Sequence, residues 1–170
     1  VGRAAASFLK TRRTTLQHML QTARALMRGI ATTAAASTDA AARGELQQSY
    51  DLMLQRTPET IDMAEFHALE RRIGVGLVVL ADNPTLELFM SVLYQVGLRE
   101  TRLRIFEDRP DRLAVYWKFR LGLVDAILKG DAEVSEVMAE RWSSHLMGWI
   151  KEDMASVEAN PRAGEEEEWV

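Results

Sequence analysis

Apolar residues recur along most of this chain at intervals of three and four positions, the spacing that places them on one face of an α-helix. No segment alternates apolar and polar residues over enough positions to indicate a β-strand. The first run of helical spacing covers residues 5–36, and its apolar positions are Leu9, Leu16, Leu20, Ala23, Met27 and Ile30. The pattern therefore predicts an all-α protein that begins with a long helix.

Short stretches that contain capping residues, proline or glycine predict where the other helices begin and end. Ser37-Thr38-Asp39 opens a second helix that ends near Gln55, Thr57-Pro58-Glu59 opens a third, and Asn83-Pro84 opens a fourth that ends near Glu107. Asp108-Arg109-Pro110 opens a fifth helix, and Gly130-Asp131 closes it and caps a sixth. The predicted fold is an antiparallel bundle of about six helices that encloses a ligand pocket.

The third predicted helix contains the sequence RRIGVGLVVL, residues 71–80, which is apolar around most of its circumference. Its glycines, Gly74 and Gly76, could belong to a dinucleotide-binding loop, but that loop requires a further glycine where the chain has Val79. A helix that is apolar on nearly all sides is typically buried on most of them. We therefore expect this segment to be the central helix of the bundle.

The composition excludes several classes of protein. The net charge of −4 over 170 residues argues against a nucleic-acid-binding surface on this chain itself. Cysteine is absent, which excludes disulfides and thiolate chemistry. No apolar segment is long enough to span a membrane, and the N-terminus does not have the apolar core of a signal peptide. A cytoplasmic location without membrane contact is the expectation.

Known catalytic and metal-binding motifs are also missing. The chain has no HExxH sequence, no phosphate-binding loop and no Gly-x-Ser-x-Gly sequence. A di-metal carboxylate site on helices requires a glutamate three residues before a histidine, and none of the three histidines has one. We therefore predict no catalytic residues and no enzymatic activity.

A few polar side chains lie on helix faces that are otherwise apolar. Glu70 lies on such a face of the third helix, Arg120 on the fifth, and Trp142 and His145 on the core side of the sixth. A single buried charge is costly, so Glu70 and Arg120 should pair with each other, be solvated in a cavity, or bind a ligand. Two interpretations follow: a structural ion pair that fills the bundle, or a polar patch on the floor of an interior ligand pocket.

Three motifs resemble those of a known family. The sequence Arg13-Thr-Thr-Leu16-Gln17 is similar to R-x-x-L-E, Ala81-Asp-Asn83-Pro84-Thr-Leu86 is similar to A-G-N-P-x-L, and Val124-Asp-Ala126-Ile127-Leu-Lys-Gly130-Asp131 is similar to I-x-x-A-I-x-x-G-D. In this order, they resemble the C-terminal effector-binding domain of the FadR subfamily of GntR transcription regulators, often called the FCD domain. The resemblance implies one such domain over residues 1–158, followed by an acidic tail over residues 159–170 that we expect to be mobile.

The resemblance also implies where a metal would bind. Members of this type carry an Asp and three His residues that hold a divalent cation, and the motifs align those positions with Glu70, Gly74, Arg120 and Trp142. Arginine does not bind metal at neutral pH, and glycine and tryptophan offer no ligand atom. Among nearby residues, His145 is the one that could still bind a metal. We therefore predict no metal and no cofactor.

A substitute for the metal follows as a hypothesis. Arg120 could neutralise a carboxylate effector directly, with Glu70 holding its guanidinium in place. Tyr116 and Trp142 would form apolar walls, and Gly74 would leave space where relatives have a histidine. The metal-free relatives include regulators that respond to fatty-acyl-CoA, so an acyl or aromatic carboxylate is the expected ligand. The predicted ligand-binding residues are Glu70, Gly74, Tyr116, Arg120, Trp142, His145 and Arg13.

The function implied is that of an effector-sensing and dimerising domain. A winged-helix DNA-binding domain is expected before Val1, so DNA would be a partner of that domain and not of this chain. A homodimer is expected through the first helix or through the fourth, whose face with Leu88, Val92, Gln95 and Leu98 is a candidate. The alternatives are a TetR-like ligand-binding domain, a purely structural bundle, and a helical enzyme that uses Glu70 or His145 as acid or base.

Overall fold

The computed structural model describes residues 16–100 and 105–159 of the chain. Within those ranges the protein consists of six helices joined by short connections, and the predicted all-α fold is confirmed. The helices are α1 (Leu16–Ala36), α2 (Ala40–Leu54), α3 (Met63–Ala81), α4 (Pro84–Glu100), α5 (Pro110–Leu128) and α6 (Ala132–Ala159).

Three of the predicted capping residues cap helices in the structure. Asp39 accepts hydrogen bonds from two backbone N–H groups in the first turn of α2, and Asn83 does the same for α4. Asp131 accepts one from the first turn of α6 at 2.9 Å. At the end of α5, Gly130 has φ = +75°, a conformation that glycine adopts without strain. Short polar side chains thus determine where these helices begin.

The predicted start of the third helix was wrong. Thr57-Pro58-Glu59 does not open a helix, because the N–H groups of Thr60 and Ile61 donate back to Thr57 and close a turn. The helix begins at Met63, with Asp62 as its N-cap accepting from the backbone N–H of Glu65 at 2.8 Å. An acceptor at the cap with an acid three residues later is the stronger initiation signal, and it overrides the proline.

Other predicted boundaries also need adjustment. The fourth helix was expected to reach Glu107, but residues 105–108 form a turn that precedes α5. Arg109 occupies the N-cap of α5 but its side chain does not cap the backbone N–H groups, and Pro110 is the first residue of the helix. The predicted start of the first helix, residues 5–15, lies outside the described residues, as does the acidic tail from residue 160.

Most neighbouring helices run antiparallel. Arg24 on α1 pairs with Glu140 on α6, and Arg28, one turn later on α1, pairs with Glu136, one turn earlier on α6. The two helices are therefore antiparallel. α5 packs against α6 in the same manner, and α2 packs closely against α3 where Gly76 faces a leucine of α2. By contrast, α3 and α5 run in the same direction and meet through their side chains across the interior.

The core includes one face of α1, α2, α3, α5 and α6, and Leu86 and Met90 of α4 pack against it. The residues that α3 contributes are Phe66, Leu69, Ile73, Leu77, Leu80 and Ala81. The expectation that α3 is buried on most sides was nevertheless wrong. Val75 and Val79 are 59% and 53% exposed on the opposite face, so α3 is an amphipathic wall helix with an unusually apolar outer face. Throughout the described part of the chain, no helix combines the length and apolar character needed to cross a bilayer.

Candidate functional site

A polar cluster lies between α3 and α5 inside the bundle. The Nε of Arg120 donates to Oε1 of Glu70 at 3.0 Å, and the Tyr116 hydroxyl donates to Oε2 of the same carboxylate at 2.5 Å. Tyr116 and Arg120 are four residues apart on α5, so they project from the same face toward Glu70 on α3. The two charges that the sequence placed on apolar faces are thus paired with each other.

The cluster is deeply buried on the α5 side. Arg120 is 3% exposed, whereas the Glu70 side chain retains 16% of its exposure. Burial is the largest single effect and lowers the pKa of Arg120, but the Glu70 charge, Tyr116 and the hydrogen bond to Glu70 together outweigh it, so the pKa is raised above its ordinary value and the group remains a cation. A buried cation with one carboxylate partner gives the interior a fixed dipole that an anion or an acceptor group can recognise.

Tyr116 is held in its neutral form. Burial and the negative charge of Glu70 together raise the pKa of Tyr116 well above its usual value near 10, while the positive charge of Arg120 and, to a smaller extent, the nearby Trp142 N–H oppose the rise. The phenol therefore acts as a hydrogen-bond donor to Glu70 over the physiological pH range. Both oxygens of Glu70 consequently have donors, one from Arg120 and one from Tyr116.

Two buried donors of this cluster lack acceptors among the described residues. The Nη1 atom of Arg120 and the Nε1 atom of Trp142 are both shielded from solvent and form no hydrogen bond. Trp142 projects from α6 and places its ring 5.0 Å from the Arg120 guanidinium carbon. Buried donors without partners are rare in folded proteins, so these two atoms are the unusual feature of the cluster.

Gly74 lies against the arginine of this cluster. A Cβ atom built on Gly74 would be 4.0 Å from Nη2 of Arg120, which is an ordinary contact distance. The guanidinium therefore fills part of the space beside Gly74, and a large side chain at position 74 would compete with it. The expected free volume at this position is thus partly occupied by Arg120 itself.

Two predicted residues do not join the cluster. His145 is exposed on α6, and its ring stacks on Phe119 at 4.8 Å and approaches Trp149 at 5.8 Å. None of its ring contacts is with Glu70 or Arg120. Arg13 lies outside the described residues. The structure therefore brings together five of the seven predicted ligand-binding residues: Glu70, Gly74, Tyr116, Arg120 and Trp142.

A second buried arginine was missed by the sequence reasoning. Arg112, in the first turn of α5, is 3% exposed and pairs with Glu152 at 3.0 Å and Asp153 at 2.7 Å, both near the end of α6. Its guanidinium also lies 6.0 Å from the ring of Trp149. The signal that could have revealed it is the antiparallel order of α5 and α6, which places the start of one helix beside the end of the other.

Aromatic rings pack between the two arginines. The ring of Tyr116 is 5.7 Å from those of Phe66 and Trp142 and 4.9 Å from that of Phe106, and Phe106 is in turn 6.1 Å from Trp149. Edge-to-face and tilted arrangements of this kind stabilise a core and restrict its rearrangement. The Arg120 cluster is therefore surrounded by rigid apolar walls, with aromatic rings contributed by α3, α5, α6 and the turn before α5.

A surface groove lies apart from this cluster. A depression of about 290 Å³ runs between α2 and α3, and Glu45, Ser49, Arg71, Val75 and Val79 are among the residues that line it. It faces the outer side of α3, whereas Glu70 faces α5. The groove therefore does not belong to the interior polar cluster.

The side chains present do not make a metal site. In the ranges 16–100 and 105–159, no three His, Asp or Glu residues come together in a way that could hold a cation. The groups that point into the interior cluster are donors from Arg120, Tyr116 and Trp142, and its carboxylate, Glu70, accepts a hydrogen bond from Tyr116 and one from Arg120. Such a donor-rich set suits acceptor atoms and not a cation.

The family follows from a comparison with known sequences. A family model described as FCD domain matches residues 14–147, most of the chain. The chain belongs to the FCD domain family. FCD domains are the C-terminal effector-binding domains of GntR-type transcription regulators, so this FCD domain has a regulatory function. The match supports the expectation drawn from the three motifs over that of a TetR-like domain. No curated protein and no solved structure matches the chain.

Proposed function

We propose that this FCD domain binds a small carboxylate or acyl-type effector at the Arg120 cluster and does so without a metal. The observation that carries the proposal is a buried arginine whose Nη1 group lacks an acceptor while its Nε is held by Glu70. An arginine fixed by one carboxylate and still able to bind another is a suitable anion receptor. The surrounding aromatic side chains favour a ligand with an apolar body.

Each residue of the cluster has a separate role in this proposal. Arg120 binds the effector's acceptor atoms, and Glu70 and Tyr116 orient the guanidinium and keep it in place. Gly74 admits the guanidinium beside α3. His145 contacts Phe119 and Trp149 outside the cluster and is proposed from its position one turn beyond Trp142 on α6. Arg13 is proposed from the family resemblance alone.

The mechanism proposed is a shift between two arrangements of the bundle. The cluster connects α3, α5 and α6, so an effector that binds Arg120 changes the interactions that hold these helices together. In a homodimer, such a change would alter how two upstream DNA-binding domains are spaced, and thereby the affinity for a two-fold operator. DNA would be bound by those domains, since this chain carries a net charge of −4.

Native mass spectrometry of the purified protein tests the proposal. The expected spectrum shows a dimer that carries a small organic acid or acyl compound, and no stoichiometric metal. Denaturing the same sample should release the compound for identification. Arg120→Met, which keeps an apolar side chain of similar length, should lose the compound while remaining dimeric. A divalent cation bound at one per chain, or equal retention of the compound by Arg120→Met, would contradict the proposal.

A further inference from the structure

Arg120 has more N–H donors than the acceptors around it engage. Arginine has five N–H groups and no acceptor atom. Glu70 accepts from Nε through Oε1, and its other oxygen, Oε2, already accepts from Tyr116. The Nη1 group, buried with the rest of the side chain, has no acceptor among the described residues. Glu70 thus accepts two of the roughly four hydrogen bonds that a carboxylate can take, and neither of them comes from Nη1.

Trp142 contributes a second donor of the same kind. Its indole N–H is buried and unpaired, and the ring lies 5.0 Å from the guanidinium carbon of Arg120. An indole can only donate, because its nitrogen has no available lone pair. Two unpaired donors from different helices, α5 and α6, thus border the same part of the interior.

We propose that Trp142 is a specificity-determining residue whose N–H binds the effector's carboxylate together with Nη1 of Arg120. The inference rests on the proposed function and goes further, because it assigns the indole a hydrogen bond in addition to an apolar wall. A carboxylate fits because it has two acceptor oxygens, one for each donor. Its negative charge would also give Arg120 a second anionic partner beside Glu70. The Glu70–Arg120 pair stays intact when the ligand binds.

The arrangement has a consequence for selectivity. A primary amide offers one acceptor and two donors, so its N–H₂ group would face the N–H groups of Arg120 and Trp142. An amine would add a positive charge beside a buried cation. The site therefore favours a carboxylate over the amide or amine of the same carbon skeleton, and the neutral form would leave one buried donor unpaired.

The test uses the indole N–H resonances of the full chain. The sequence contains four tryptophans, and Trp142→Phe assigns the resonance of Trp142 by removing it from a ¹H–¹⁵N spectrum. The probes are formate, acetate, benzoate and octanoate, each compared with its own primary amide. Trp149→Phe is the matched control, since Trp149 lies on the same helix and contacts Arg112 and not Arg120.

The expected result is that at least one carboxylate shifts the Trp142 resonance with saturation, and that its amide binds at least tenfold more weakly. Trp142→Phe should weaken binding of that carboxylate by roughly tenfold, the equivalent of one hydrogen bond to a charged group. Trp149→Phe should leave the dissociation constant unchanged. Because the indole N–H forms no hydrogen bond of normal geometry within the described residues and only lies near the Tyr116 hydroxyl, Trp142→Phe should remain folded, and a thermal melt checks this.

Three outcomes would overturn the inference. The first is equal carboxylate affinity in Trp142→Phe and the wild type, which would leave Arg120 as receptor and the proposed function intact. The second is equal affinity for acids and amides. The third is a Trp142 resonance that none of the four carboxylates moves up to its solubility limit, which is the result expected if the donors bind only water. Failure of the proposed function is distinguished by a bound metal or by unchanged ligand retention in Arg120→Met.

Discussion

Two arginines on α5, eight residues apart, are buried to the same extent and differ in their partners. Arg112 and Arg120 are each 3% exposed. Arg112 has two carboxylates, Glu152 and Asp153, whose side chains are 65% and 24% exposed at the end of the bundle. Arg120 has one carboxylate, the less exposed Glu70, and shares it with Tyr116.

The difference is the reason to propose Arg120 and not Arg112 as the receptor. Arg112 ties the start of α5 to the end of α6 with more negative charge than it carries itself, so it does not need a further anion. Arg120 has a single carboxylate partner, which a phenol also engages. Each arginine has one buried nitrogen without an acceptor among the described residues, Nε in Arg112 and Nη1 in Arg120, so the difference lies in the number of carboxylate partners. A single buried ion pair is a costly way to fill the interior of a core, which favours a binding role for Arg120.

The largest expected effect comes from removing the carboxylate of Arg120. Glu70→Ala leaves a buried guanidinium and the Tyr116 hydroxyl without an acceptor, so we expect a loss of about 3–5 kcal/mol in the free energy of unfolding. Urea denaturation of the purified domain measures it. In the double variant Glu70→Gln with Arg120→Met, the buried charge is gone and Tyr116 keeps an acceptor, so most of this loss should be recovered. A double variant as unstable as Glu70→Ala would contradict the ion-pair account.

The next effect concerns the space beside Gly74. Gly74→Leu places a branched side chain where Nη2 of Arg120 lies 4.0 Å from a Cβ atom, and overpacking of this kind costs about 1–3 kcal/mol. The Gly74→Leu substitution should also weaken carboxylate binding. The matched control is Gly74→Ala, which fits at that distance and should gain up to about 1 kcal/mol from helix propensity. Equal stability of the two variants in urea denaturation would show that Arg120 does not depend on the glycine.

A smaller effect is expected at the other arginine. Arg112→Met should destabilise the domain by about 1–2 kcal/mol, because Glu152 and Asp153 can be hydrated near the surface once the guanidinium is removed. It should leave the dissociation constant of any ligand of the Arg120 cluster unchanged. A loss as large as that of Glu70→Ala, or weaker ligand binding, would remove the distinction between the two arginines. Urea unfolding curves recorded with and without ligand give both the free energy of unfolding and the dissociation constant.

The smallest effect is a difference in alkaline stability. The pKa of Tyr116 is raised by burial and by Glu70, so the folded state keeps a proton that the unfolded state releases above pH 10. The stabilising contribution is complete below pH 10 and is lost as the pH rises toward the folded-state pKa, at up to about 1.4 kcal/mol per pH unit. In Tyr116→Phe, the free energy of unfolding should not show this part of the decrease with rising pH. Parallel slopes for wild type and variant between pH 9 and 11 (roughly the range around the phenol's ordinary pKa) would count against it.

The sequence was sufficient for the fold class and most helix starts, since these depend on local signals. Asp39, Asn83 and Asp131 cap helices through hydrogen bonds that reach two or three residues along the chain. The pairing of Glu70 with Arg120 was also predictable, because each interrupts an apolar face and neither could be buried alone. Pro58 misled because a proline fits a turn as readily as a first helical turn.

What the sequence could not supply are the features that depend on how helices are arranged in space. The pairing of Arg112 with Asp153 requires the register of α5 against α6, a separation of 41 residues. The exposure of Val75 and Val79 requires knowing that α3 forms a wall of the bundle, since an apolar residue is equally compatible with a core or an open face. The unpaired donors of Arg120 and Trp142 become visible once the acceptors around them are known.

The most direct test of the account compares ligand-induced stabilisation in three folded proteins. The ligand is the compound released from the purified protein, or the carboxylate probe with the lowest dissociation constant, added to wild type, Arg112→Met, and the Glu70→Gln/Arg120→Met double variant. Stabilisation follows from ligand concentration and dissociation constant alone when only the folded state binds. We predict the same increase in unfolding free energy for wild type and Arg112→Met and none for the double variant. An equal increase in all three would place the ligand elsewhere and make the Arg120 cluster a structural ion pair.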